Sequence, residues 1–86
     1  MKDDWELVFH QQAFDVIATA RGRQKKYLSR ALEALLAHPY RTPDYQEKDK
    51  TGRSLSVLLA GPWAITFWLD HFVKEIRIVS VEKVGS

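Results

Sequence analysis

The chain has 86 residues, 45% of them hydrophobic and 12% aromatic, with no cysteine and a formal net charge of +2. That length suits one domain, residues 1–86, and a single core burying roughly 60 to 65% of the unfolded chain's surface. Without cysteine there are no disulfides, no thiolate catalysis and no cysteine-ligated metals.

No run approaches the ~20 apolar residues of a membrane span, and the acidic start MKDDWELVFHQQ lacks the basic and apolar pattern of a signal peptide. A cytoplasmic protein is expected. Residues 21–53 hold nine Lys or Arg against four Asp or Glu, a balance of +5, while the rest hold four against seven, a balance of −3. A basic segment attracts nucleic acid or an acidic protein partner, and it also reads as the solvated face of a helix.

In chain order, Trp5, Leu7 and Phe9 alternate with Glu6 and Val8, which predicts a short strand with one apolar face. From Gln11 the period turns helical. Phe14, Ile17, Ala18 and Arg21 share a face, and Gly22 ends the run. Leu28, Ala31, Leu32, Leu35 and Leu36 then form the stripe of a second helix that packs on a sheet. Its outer face carries Arg23, Lys26, Arg30 and Glu33, and it stops near His38 because Pro39 disfavours helical geometry before it. Residues 39–52, with two prolines and two tyrosines, read as a long loop and a candidate contact surface. The rest reads as a strand over 54–59, a turn at Gly61 and Pro62, a strand from Trp63 or Ala64 to Leu69, a connection over 70–73, and a β-branched strand over 75–84.

The order β-α-α-β-β-β predicts an α+β fold, with two N-terminal helices packed on a small, mostly antiparallel twisted sheet. The first strand crosses over two helices and should pair in parallel, whereas the final three form an antiparallel meander. The last strand is apolar on both sides of its alternation from Ile78 to Val81, which places it in the middle of the sheet, covered on both faces.

These residues resemble the RelE/ParE superfamily of toxins from bacterial type II toxin-antitoxin systems. The likeness spans nearly the whole chain. It rests on WELVFHQQAF leading into two basic helices, on ALEALLAHPY closing the second, on the D-x-x-GR-x-L stretch from Asp49 to Leu55, and on GPWAITFWLDHFVKEIRIVSVEKV. It implies a RelE-like fold, a cognate antitoxin as partner, and a toxin-antitoxin hetero-oligomer or a homodimer. It further implies inhibition of translation by ribosome-dependent mRNA cleavage without metal or other cofactor, or poisoning of another target such as gyrase. In the nuclease members a ribose 2′-hydroxyl attacks the adjacent phosphate, which calls for a base, an acid and cations. Those members commonly carry two lysines on the second strand and arginines in the next turn and at the end of the last strand. This chain has Ser54, Ser56, Ala64 and Val84 at those places.

Substitute residues for an RNA-cleaving site are Arg53, Arg77, His71 and Lys83, with Lys48, Lys50, Arg30 and Trp63 for RNA binding. Lys48, Lys50 and Arg53 precede a sheet strand and could hold phosphate, or could be solvated loop residues beside Glu47 and Asp49. His71 suits proton transfer near neutral pH, although a hairpin histidine beside Asp70 is more often a turn residue. Glu75 and Arg77 share a face, and Lys83 farther along would join them; a cross-strand salt bridge also accounts for that pair. Trp63, Trp68 and Phe67 could stack on bases, with core packing favoured for Phe67. His10 and His38 sit at helix boundaries and find no partner at metal-ligand spacing. The basic balance and the loop's length predict that the concave sheet face and the long loop together form one basic surface, covered by an antitoxin segment. The competing function is a toxin-fold protein without nuclease activity, acting by protein binding on gyrase or another target, or keeping only the antitoxin interface.

Overall fold

The computed structural model describes residues 4–84. Strand β1 (Glu6–Phe9) leads into helices α1 (Gln11–Thr19) and α2 (Gly22–Ala37), then β2 (Tyr45–Lys48), β3 (Ser54–Ala60), β4 (Trp63–Asp70) and β5 (Glu75–Lys83). The sheet order is β1-β5-β4-β3-β2. β1 pairs with β5 in parallel, and every other pairing is antiparallel. The α+β reading and the parallel return of the first strand therefore hold.

Two boundaries differ from the sequence reading. Gly22 does not end α1; Ala20 and Arg21 are extended, and Gly22, at φ +59°, is the first residue of α2. Only a residue without Cβ adopts that angle cheaply, so the glycine makes the sharp joint between the helices. The long loop of residues 39–52 contains β2, whose four residues Tyr-Gln-Glu-Lys are all exposed and pair with β3 at the sheet edge.

The core lies between the helices and one face of the sheet. Leu28, Leu32 and Leu35 of α2 and Ala13 of α1 pack with Leu58, Trp63, Ile65, Phe67, Ile76, Ile78 and Val81. The buried face of α1 is Ala13 with Val16 and Ile17; Phe14, expected on that face, is 55% exposed.

β5 is an interior strand between β1 and β4, but the middle of the sheet is β4, not β5 as expected, and the helices cover only one face of β5. Its apolar run has another cause. Thr66 faces Ser80 while Phe67 faces Ile78, so Val79 is an extra residue and the strand's inside-outside alternation reverses there. Ile76 and Ile78 before the bulge and Val81 after it all reach the same core.

At the β1 side of β5, the Gln12 side chain stands in for a strand. Its carboxamide donates to the Val81 carbonyl and accepts from the Val81 N–H, each at 3.0 Å. This closes β5 beyond the end of the shorter β1, where open edge groups would otherwise remain.

Candidate functional site

The face away from the helices follows from the register. It carries Glu6 and Val8 of β1, Tyr45 and Glu47 of β2, Leu55, Val57 and Leu59 of β3, Ala64, Thr66, Trp68 and Asp70 of β4, and Glu75, Arg77, Ser80 and Glu82 of β5. Ser54 and Ser56 pair with Lys48 and Gln46 and alternate with these residues, so they lie on the helix side. From this stretch it is Arg53 that reaches the open face.

Arg53 is presented by a tight turn. One Asp49 carboxylate oxygen accepts from the Thr51 hydroxyl at 2.6 Å and from the backbone N–H groups of Thr51 and Arg53, both at 2.9 Å. The Asp49 N–H in turn donates to the Arg53 carbonyl at 3.0 Å. The Thr51 hydroxyl first, and then the two N–H groups, hold the Asp49 carboxyl below its ordinary range. These contacts set the direction in which residue 53 enters β3.

The Arg53 guanidinium lies 4.3 Å from the centroid of the Trp68 ring, and that of Arg77, directly across from Trp68 on β5, lies at 5.5 Å. Both distances are in the range of cation-π attraction. The site thus brings together two guanidiniums and one partly buried indole.

Arg77 is also held by carboxylates. Its Nη2 donates to Glu75 Oε1 at 2.7 Å, and its Nε lies 3.6 Å from Asp70 Oδ2. Nε is buried and makes no hydrogen bond. Burying a charged donor without an acceptor is costly, so Arg77 retains one strong unfilled donor.

The other proposed residues lie elsewhere. Trp63 is 5% exposed, and its indole N–H donates to the Gln24 carbonyl at 2.9 Å. It is a core residue with no open ring face for a base. Lys83 does not share a face with Arg77. The bulge at Val79 turns it to the helix side, where its Nζ lies 5.7 Å from the Trp63 ring. His71 leans away into an aromatic cluster, with Nδ1 3.2 Å from the Tyr40 hydroxyl and its ring 5.7 Å from that of Trp5. Lys48 is on the helix side of the edge strand, Lys50 is exposed in the turn, and Arg30 lies on α2 in a groove with Tyr27, Arg41 and Leu58.

The expected single basic surface is not what forms. Five carboxylates (Glu6, Glu47, Asp70, Glu75 and Glu82) share the open sheet face with Arg53 and Arg77. The cations gather instead on the helix layer, where Lys25, Lys26 and Arg30 of α2 line one groove with Glu33. The positive balance of residues 21–53 is real, but α2 and the sheet face are different sides of the molecule.

No protein-family model matches the chain, and no curated protein matches it in sequence. Its fold matches solved structures. A chain of the archaeal RelE-RelB complex from Pyrococcus horikoshii OT3 superposes with TM-score 0.71 at 13% identity, over 95% of this chain and 97% of that one. A chain of the toxin-antitoxin complex RelBE2 from Mycobacterium tuberculosis gives TM-score 0.65 at 13% identity, over 94% and 99%. A chain of the intact RelBE toxin-antitoxin complex of E. coli gives 0.63 at 16% identity, over 95% and 99%. The chain shares the fold of these RelE-RelB and RelBE chains. Among the described residues no helix is long and apolar enough to cross a membrane.

Proposed function

We propose that this chain is the toxin of a type II toxin-antitoxin pair and that it acts in the cytoplasm on single-stranded RNA, through the sheet face carrying Arg53, Trp68 and Arg77. The observation that supports this most is the convergence of two guanidiniums on Trp68. An indole stacks on an unpaired base, and guanidiniums fork onto phosphate oxygens. If mRNA on the ribosome is the substrate, the reaction is transfer within the strand. The 2′-oxygen forms a bond to the neighbouring phosphorus, the bond to the 5′-oxygen breaks, and a proton moves from the attacking to the leaving oxygen. The phosphate gains negative charge on the way, and Arg53 and Arg77 are the groups suited to hold it. An acidic antitoxin segment would find its complement on the α2 layer around Lys25, Lys26 and Arg30.

A second reading has its own support. Carboxylates outnumber arginines on the open face, which suits a toxin that binds a protein target and cuts no RNA. Inducible expression with and without the neighbouring reading frame tests the toxin role. Growth arrest relieved by co-expression supports it, and unimpaired growth under strong expression of the chain alone contradicts it.

A further inference from the structure

Resting on the RNA reading above, we infer that Asp70 and Glu75 are specificity-determining residues: their carboxylates offset the charge of the arginine pair, so that binding depends on a base reaching Trp68 and single-stranded RNA is selected over duplex. The inner cluster holds two cations, Arg53 and Arg77, and two carboxylates, Asp70 and Glu75, all on one sheet face.

Attraction to phosphate does not depend on sequence or strandedness, because every nucleic acid carries the same backbone charge. A site with two free arginines would take duplex and single strand alike. Here Glu75 occupies Nη2 of Arg77 at 2.7 Å, and Asp70 lies 3.6 Å from Nε without reaching hydrogen-bond distance. A phosphate must therefore compete with two built-in carboxylates. A base that stacks on Trp68 displaces the Arg53 guanidinium from the ring rather than competing with the carboxylates, and only an unpaired base can do so.

The test measures binding of the purified chain to a short labelled RNA, alone and annealed to its complement, across a salt series. The variants are Asp70→Asn, Glu75→Gln, Arg53→Ala and Trp68→Ala, each checked by thermal melting. Asp70→Asn and Glu75→Gln should raise affinity for duplex by about two- to five-fold, the reach of one surface charge pair. Each should narrow the preference for single strand and steepen the single-strand salt dependence by about 0.7 in log-log slope, the value of one added phosphate contact. Either variant suffices if the other does not fold. If Arg53→Ala and Trp68→Ala weaken binding but both carboxylate variants leave preference and slope unchanged, or weaken binding, the inference is overturned while the RNA reading stands. If Arg53→Ala and Trp68→Ala leave single-strand binding unchanged, the RNA reading itself fails.

Discussion

Arg53 stacks its guanidinium 4.3 Å over the ring of Trp68, joining the turn before β3 to the middle of the open sheet face. Arg77 approaches the same ring from β5. If this cluster works on a phosphate, removing one of its donors should cost about 10² to 10³ in rate, or roughly 2.7 to 4 kcal/mol. Arg53→Ala and Arg77→Ala are each expected to abolish toxicity on expression. His71→Ala should cost less, because His71 faces Tyr40 and Trp5. Growth on induction, with melting curves to exclude unfolding, checks this.

The Asp49 turn gives a pH prediction. Its carboxyl is held below the ordinary value of 3.8, so the folded state binds the proton less readily than the unfolded one. The stability this supplies is fully present above that ordinary value and is lost as pH falls through the lower folded one. Melting temperature followed from about pH 5 to about pH 2 should therefore fall less steeply for Asp49→Ala than for wild type. At neutral pH the same variant should weaken any activity that depends on Arg53, since the turn that aims it is gone.

Gln12→Ala removes both hydrogen bonds to Val81 and leaves a strand edge open. A loss of about 1 to 3 kcal/mol is expected, the range for part-buried backbone groups losing their partners. Urea unfolding with an unchanged slope would show that the effect is on stability alone.

Gly61→Ala tests the joint between the β3-β4 turn and α2. A Cβ there would lie 2.5 Å from the Tyr27 ring, at a residue with φ +57°. Strain at such an angle costs on the order of 1 to 3 kcal/mol. For a domain of this size that is a fall in melting temperature of about 4 to 8 °C per kcal/mol. The double variant Gly61→Ala with Tyr27→Ala should recover the part due to the clash and not the part due to the angle.

Much of the fold was legible because its signals are local. The stripe from Leu28 to Leu35 marks α2, and the alternation of Trp5, Leu7 and Phe9 marks β1, two features that reach the same core. β2 was hidden because Tyr45 to Lys48 bury nothing and are held by backbone pairing alone. The bulge at Val79 was hidden too, since an extra residue in a β-branched run changes no local propensity, yet it moves Lys83 to the other face. Arg53 and Arg77 were readable as cations rooted at the sheet. Their meeting on Trp68 depends on the register between three strands, and so does the carboxylate excess around them. A sequence window can sum charges over residues 21–53, but it does not separate the outer face of α2 from the open face of the sheet. Trp63 was misread as a stacking surface because an indole needs only one acceptor to be buried, and α2 supplies it from Gln24.

The most direct measurement is ribosome-dependent cleavage of mRNA by the purified chain in a translation extract, with the new RNA ends mapped. Wild-type protein should cut, and Arg53→Ala, Arg77→Ala and Trp68→Ala, all folded, should not. Translation and mRNA left intact by folded wild-type protein would contradict the account and turn it toward a protein target.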